Sequence, residues 1–175
     1  QEVLTASCDE TAKIWSVSTG QCKQTLNGHS SYVASAVFST DGSEVLTASH
    51  DRTAKIWSVS TGQCKQTLSG HSKGVTSAVF STDESDVLTA SLDGTAKIWS
   101  VSTGQCKQTL DGHSSFVTSA VFSTDGSEVL TASNDRTAKI WNVSTGQCKQ
   151  TLSGNFSAVT SAVFSAYESE VLTAS

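Results

Sequence analysis

Short apolar stretches broken by turn residues organise this chain, and no stripe of helical period runs through it. Val75-Thr76-Ser77-Ala78-Val79-Phe80-Ser81 is β-branched and carries small or apolar side chains on both faces, Thr76 and Ala78 against Val75 and Val79. That pattern predicts a strand covered on both sides. Thr82-Asp83-Glu84-Ser85 follows as a turn. One unit earlier the same place holds Thr40-Asp41-Gly42-Ser43, and Asp-Gly is a strong hairpin signal. Asp86 to Ser91, with Val87 and Leu88, predicts a second strand, and Leu92-Asp93-Gly94 a second turn. A third strand spans Thr95 to Val101 around Trp99. Ser102-Thr103-Gly104 then turns the chain into Gln105 to Leu110, polar and charged as an exposed edge strand should be. These strands are named a, b, c and d, from inner to outer.

The pattern repeats every 42 residues. Trp15, Trp57, Trp99 and Trp141 are evenly spaced, and AKIWSVSTGQCKQTL stands unchanged at 12–26, 54–68 and 96–110, then once more at 138–152 with Asn142 in place of Ser. SAVFS begins at 35, 77, 119 and 161, and VLTAS at 3, 45, 87, 129 and 171. One such unit cannot bury both faces of its own sheet, whereas stacked units share a continuous core. Within this frame 33–68, 75–110 and 117–152 are complete units. Residues 1–26 supply strands b, c and d of one unit, and 159–175 strands a and b of another.

Composition narrows the function. A formal net charge of −5 gives no basic footprint for a nucleic-acid backbone or an anionic membrane surface. Apolar runs are a few residues long, far short of the roughly 20 that span a bilayer. Five cysteines, four of them one per repeat (Cys22, Cys64, Cys106, Cys148), do not form a disulfide framework. They read as reduced, small hydrophobic side chains in an intracellular, cytoplasmic setting. The sequence starts at Gln1 and contains no Met, so the natural N-terminus is expected upstream. Lys13, Lys55, Lys97 and Lys139 make a solvated stripe. His and Cys occur singly in each repeat, without CxxC or HxxxH spacing, so neither metal nor cofactor is expected.

Gly28-His29, Gly70-His71 and Gly112-His113 each stand upstream of a Trp, with 28 residues from His to Trp. Together with four strands per repeat of this length, they make the chain resemble the WD-repeat β-propeller family. The eponymous Trp-Asp is Trp-Ser or Trp-Asn here, and the fourth Gly-His is Gly154-Asn155. The resemblance implies an all-β propeller of four-stranded antiparallel blades, here an arc of about four. It also implies a structural polar network in each blade: His29, Thr47, Asp51 and Trp57; His71, Thr89, Asp93 and Trp99; His113, Thr131, Asp135 and Trp141. Thr, His and Asp can also make a catalytic triad. An enzyme needs one converged site, however, and propeller copies point to separate positions around a ring. Such propellers usually close at seven or eight blades, and a four-bladed ring would leave one strand b surplus. Further repeats or a second copy are therefore expected to complete the ring, and the isolated chain is expected to dimerise or aggregate rather than stay monomeric.

The copies differ mainly in two loops at one end, d–a and b–c, while the Ser-Thr-Gly c–d turn is invariant. The a–b turn varies most at Ala166-Tyr167-Glu168. Tyr32, His50, Arg52, Lys73, Leu92, Phe116, Asn134, Arg136 and Phe156 fall in the variable loops, and exposed aromatic and Arg side chains are what interfaces use as anchors. The expected function is a non-catalytic scaffold that binds other proteins through this face. Two alternatives are a purely structural subunit of a larger assembly and the sensor array of a NACHT-type signalling ATPase, which homogenised repeats with divergent loops resemble. No GxxxxGK[ST] motif for such an ATPase occurs in the chain.

Overall fold

A computed structural model describes residues 1–165 and 170–175. Among these residues all regular structure is β and no helix occurs. The first sheet joins β1 (Glu2–Ala6), β2 (Thr11–Ser16) and β3 (Cys22–Asn27). The second joins β4 (Val33–Phe38), β5 (Glu44–Ser49), β6 (Thr53–Ser58) and β7 (Cys64–Ser69) in chain order. The third joins β8 (Val75–Phe80), β9 (Asp86–Ser91), β10 (Thr95–Ser100) and β11 (Cys106–Asp111). The fourth joins β12 (Val117–Phe122), β13 (Glu128–Ser133), β14 (Thr137–Asn142) and β15 (Cys148–Ser153). The last pairs β16 (Ser161–Phe164) with β17 (Val171–Ala174). Every pairing is antiparallel. The molecule is thus a partial β-propeller of successive four-stranded blades. The variable Ala166-Tyr167-Glu168 turn, and the start of the predicted last strand at Ser169, lie outside the described residues.

Sheets stack through their first two strands: β8 lies against both β4 and β5, and β12 against β8 and β9. The first strands therefore crowd the inner side and the fourth strands fan outward. Each seam is its own apolar cluster. Leu46, Ile56 and Leu68 of the second sheet pack on Val75, Ala78 and Trp99 of the third. Leu88, Ile98 and Leu110 of the third meet Val117, Ala120 and Trp141 of the fourth. The core is a stack of seams, as expected where no blade buries its faces alone.

Polar contacts repeat at the seams. Thr76 Oγ1 donates to the Val117 carbonyl of the next inner strand (2.8 Å), and Thr118 Oγ1 to that of Val159 (2.7 Å). The c–d turn glycines are tied to the neighbouring blade. A Cβ on Gly62, Gly104 or Gly146 would overlap the amide side chain of Gln24, Gln66 or Gln108, respectively, each on the preceding outer strand. All three glycines also have φ of 69°. Within each blade a lysine at the start of strand d reaches back over strand c to an acid at the start of strand b. The pairs are Lys23 with Glu2, Lys65 with Glu44, Lys107 with Asp86 and Lys149 with Glu128.

The five cysteines are free and exposed, and the repeat cysteines sit on the outer strand, where Cys64 Sγ approaches the Gln66 carbonyl at 3.4 Å. One expectation about side chains needs correcting: the lysine stripe is not merely solvated, because Lys55, Lys97 and Lys139 donate to Thr67, Thr109 and Thr151 of the adjacent strand.

Candidate interaction surface

Three buried polar chains hold the loops at one end. In the third sheet the Trp99 indole N–H donates to Thr89 Oγ1 (2.9 Å), and Thr89 Oγ1 lies 2.7 Å from His71 Nε2. His71 Nδ1 lies 2.8 Å from Asp93 Oδ2. An ionised carboxylate can only accept, so the His71 proton sits on Nδ1 and points at Asp93. Nε2 of the neutral ring is then an acceptor, and Thr89 gives it the hydroxyl proton while accepting the indole N–H. The second sheet repeats this with Trp57, Thr47, His29 and Asp51, and the fourth with Trp141, Thr131, His113 and Asp135. Each Asp also accepts from the backbone N–H after the His (Ser30, Ser72, Ser114) and from the Thr two residues on (Thr53, Thr95, Thr137).

Electrostatics agree with this proton placement. Burial pushes the His29, His71 and His113 imidazoles below their ordinary value, against the opposing pull of the partner aspartate, so each is neutral at pH 7. Burial alone would raise the Asp93 carboxyl, but the Thr95 hydroxyl and His71 more than offset it and bring its pKa down to about 2. Asp135 is likewise brought to about 2 by Thr137 and His113, and Asp51 is lowered by Thr53 and His29. These are carboxylate-to-imidazole hydrogen bonds rather than ion pairs. Thr47, Thr89 and Thr131 have 0% exposure, so no substrate carbonyl can reach their hydroxyls. Among the described residues no group of His, Cys, Asp and Glu is arranged to hold a metal ion.

The network anchors the b–c turn beneath the d–a loop. His50 N–H donates to the Tyr32 carbonyl, Leu92 N–H to Gly74 and Asn134 N–H to Phe116. The two variable loops of each blade therefore form one hydrogen-bonded end. The opposite end ties Val59, Val101 and Val143 to the carbonyls of Ser43, Ser85 and Ser127.

The candidate residues fall into three groups on this loop end. Tyr32, His50, Lys73 and Phe116 form a band across three blades. The Tyr32 ring stacks on His50 with centroids 3.8 Å apart. His50 presses on Gly74 of the next blade, where a Cβ would come within 2.9 Å of its Cγ. The Lys73 ammonium stands 5.4 Å from the Phe116 centroid. Tyr32 and Phe116 are each 39% exposed, and burial lowers the His50 pKa. Arg52, Asn134 and Arg136 are exposed beside the band with Leu92 half-buried, and the two arginine side chains make no hydrogen bond or ion pair among the described residues. Phe156, 98% exposed, sits in the last d–a loop, where Lys73 and Phe116 have no counterpart beside it.

The backbone of this end holds a feature that the sequence reading did not use. Glu10, Arg52, Gly94 and Arg136 share one turn position, and all four have left-handed φ, at 70°, 74°, 87° and 70°. A non-glycine residue there costs roughly 1–2 kcal/mol. The signal was present in the alignment of the copies, since Gly94 marks a position that favours positive φ. The contact of His50 with Gly74 carried no local signal, because it joins different blades.

The family description "WD domain, G-beta repeat" matches residues 20–58, 62–100 and 104–142. Each match starts in a c–d turn and ends with strand c of the following blade, so it takes strand d from one sheet and a, b and c from the next. A search of curated proteins finds no match. Among the described residues no helix is long and apolar enough to cross a membrane. With three tandem matches over well over half its length, the chain belongs to the WD-repeat family, whose repeats generally build scaffolds for protein–protein interaction.

Proposed function

We propose that this chain is a non-catalytic interaction platform whose protein partner sits on the d–a/b–c loop end. The observation that carries the reading is the continuous band from the Tyr32–His50 stack, across Gly74, to Lys73 over Phe116. Rigid, half-exposed aromatic rings are what interfaces use as anchors. Arg52 and Arg136 add free guanidinium groups on a strained backbone, and strain of this kind concentrates at functional sites. Leu92, Asn134 and Phe156 extend the surface outward. Further repeats or a second copy of the chain complete the ring around it, in a cytoplasmic setting. Nucleic acid is a poor partner for a chain of net charge −5.

The test is alanine substitution at Tyr32, Arg52 and Phe116, read by affinity capture of partners and by melting curves. The reading requires lost capture with an unchanged melting curve. Capture that survives all three substitutions would leave the chain as a purely structural subunit.

A further inference from the structure

At the opposite end of the blades the inner strands finish in the same apolar pair in each repeat. Val37 and Phe38, Val79 and Phe80, and Val121 and Phe122 line a furrow of about 550 Å³ across three blades. All six side chains are only half-buried. One carboxylate, Glu84, lines the furrow wall, and Asp41, Asp83 and Asp125 follow the lining residues Thr40, Thr82 and Thr124 in the a–b turns. None of the four has an ion pair among the described residues, unlike the outer acids, which are neutralised by the strand-d lysines. Hydrogen bonds from Ser39, Ser81 and Ser123 and from turn backbone N–H groups hold Asp41, Asp83 and Asp125 below the ordinary carboxylate range, so their charge persists in mild acid.

Glu84 departs from the repeat. Its position is Gly42 and Gly126 in the neighbouring blades, with φ of 71° in each, and Glu84 takes a φ of 58°. A β-carbon there is strained, yet the side chain turns toward the furrow and one carboxylate oxygen accepts the Thr40 N–H of the preceding blade. The third blade thus sets an additional negative charge in the furrow wall, at a turn position where the neighbouring blades have glycine.

We propose that this furrow is a second docking site, distinct from the loop face, for a basic amphipathic peptide segment that lays aliphatic side chains on the Val–Phe pairs and lysines or arginines on the carboxylate rim. The occupant is assigned by complementarity. An apolar floor calls for aliphatic side chains, and an uncompensated acidic rim selects cations and repels acidic partners. A bare polycation would satisfy the rim and leave the floor uncovered.

The experiment titrates the full chain with a fluorescent peptide of alternating lysine and leucine and reads anisotropy. Binding should weaken steeply with added salt. It should be lost when the leucines become serine or the lysines become glutamate. Glu84→Gly restores the residue of the neighbouring blades, so the fold is kept, and it should weaken binding about two- to five-fold, the range of an exposed charge contact. Adding Asp41→Asn and Asp125→Asn should deepen the loss. Asp111→Asn removes the same charge at the loop end and should change nothing. Equal weakening by Asp111→Asn, unweakened binding in the triple variant, or equal affinity for the serine peptide would each overturn the proposal. So would loss of the peptide on Tyr32→Ala/Phe116→Ala, which would place it on the loop face. Partner capture by the loop face should be untouched in Glu84→Gly, so the two sites fail separately.

Discussion

The pentapeptide Val-Leu-Thr-Ala-Ser occurs at 45–49, 87–91 and 129–133 in the middle of the molecule and at 3–7 and 171–175 in the outer sheets. In the three central copies every one of its residues is buried, with Leu46, Leu88 and Leu130 at 0% exposure. In the outer copies Val3 is 49% exposed and Leu172 71%. Local sequence and local strand are the same in both regions, so the neighbours make the difference. The polar chain follows suit: Trp99 is buried over Thr89, His71 and Asp93, while Trp15 donates to Thr5 with no histidine beside it. In the last sheet Thr173 reaches Asn155 only at 3.5 Å. A blade in this fold gains its core from the blade beside it, and the repeat motif alone does not confer burial.

The largest test of that contrast is truncation of the same leucine in both settings. Leu88→Ala should cost about 2–5 kcal/mol, because it empties a seam lined by Ile98 and Val117. Leu172→Ala should stay within about 0.5 kcal/mol, as exposed changes do. Urea midpoints for the two variants check this directly. Comparable losses would mean that burial is not set by neighbouring blades.

Next in size is the polar chain, which is sensitive to pH. Asp93→Ala leaves the His71 Nδ1–H and the Ser72 and Thr95 donors without their acceptor and should cost about 1–3 kcal/mol. Asn155→Ala should cost clearly less. The pH profile has a definite sign. Folded-state pKa values of His71 and its two equivalents lie below the ordinary 6.5, so the unfolded chain takes up protons first, and stability falls as pH drops below that value. Asp93 and Asp135, at about 2 when folded against 3.8 ordinarily, add a second loss as pH falls from about 4 toward 2. Chemical denaturation between pH 8 and 3 should show both steps in the parent and a smaller acid step in Asp93→Ala. A flat profile above pH 5 would contradict neutral buried imidazoles.

The strands and the 42-residue unit were legible because four copies stood side by side. The polar chain was legible through the resemblance to the WD-repeat family, which assigned His29, His71 and His113 their Thr, Asp and Trp partners. The contacts that join one blade to the next were not legible. Gln24 meets Gly62, His50 meets Gly74 and Thr76 meets Val117, each across a seam. Nothing local marks such pairs, because the residues lie in different blades and are brought together by stacking. The exposure of the cysteines was legible, by contrast, because strand d reads as a polar edge and no neighbouring blade covers the Sγ atoms.

The smallest expected effect tests whether the loop end holds a backbone compromise. Arg136 takes φ of 70° at a position where Gly94 takes 87°, and its guanidinium has no partner within the described residues. Arg136→Gly removes the steric cost of a left-handed Cβ but adds chain entropy to the unfolded state, and the first effect is the larger. A net gain of about 0.5–1 kcal/mol is therefore expected, seen as a raised urea midpoint with unchanged m-value. The same substitution should weaken partner capture if the guanidinium belongs to the binding face. Stability gained with binding lost is the pattern of a residue kept for function against local strain. Stability lost instead would show that Arg136 holds the turn through its side chain, which would move it from the proposed binding surface to the scaffold beneath.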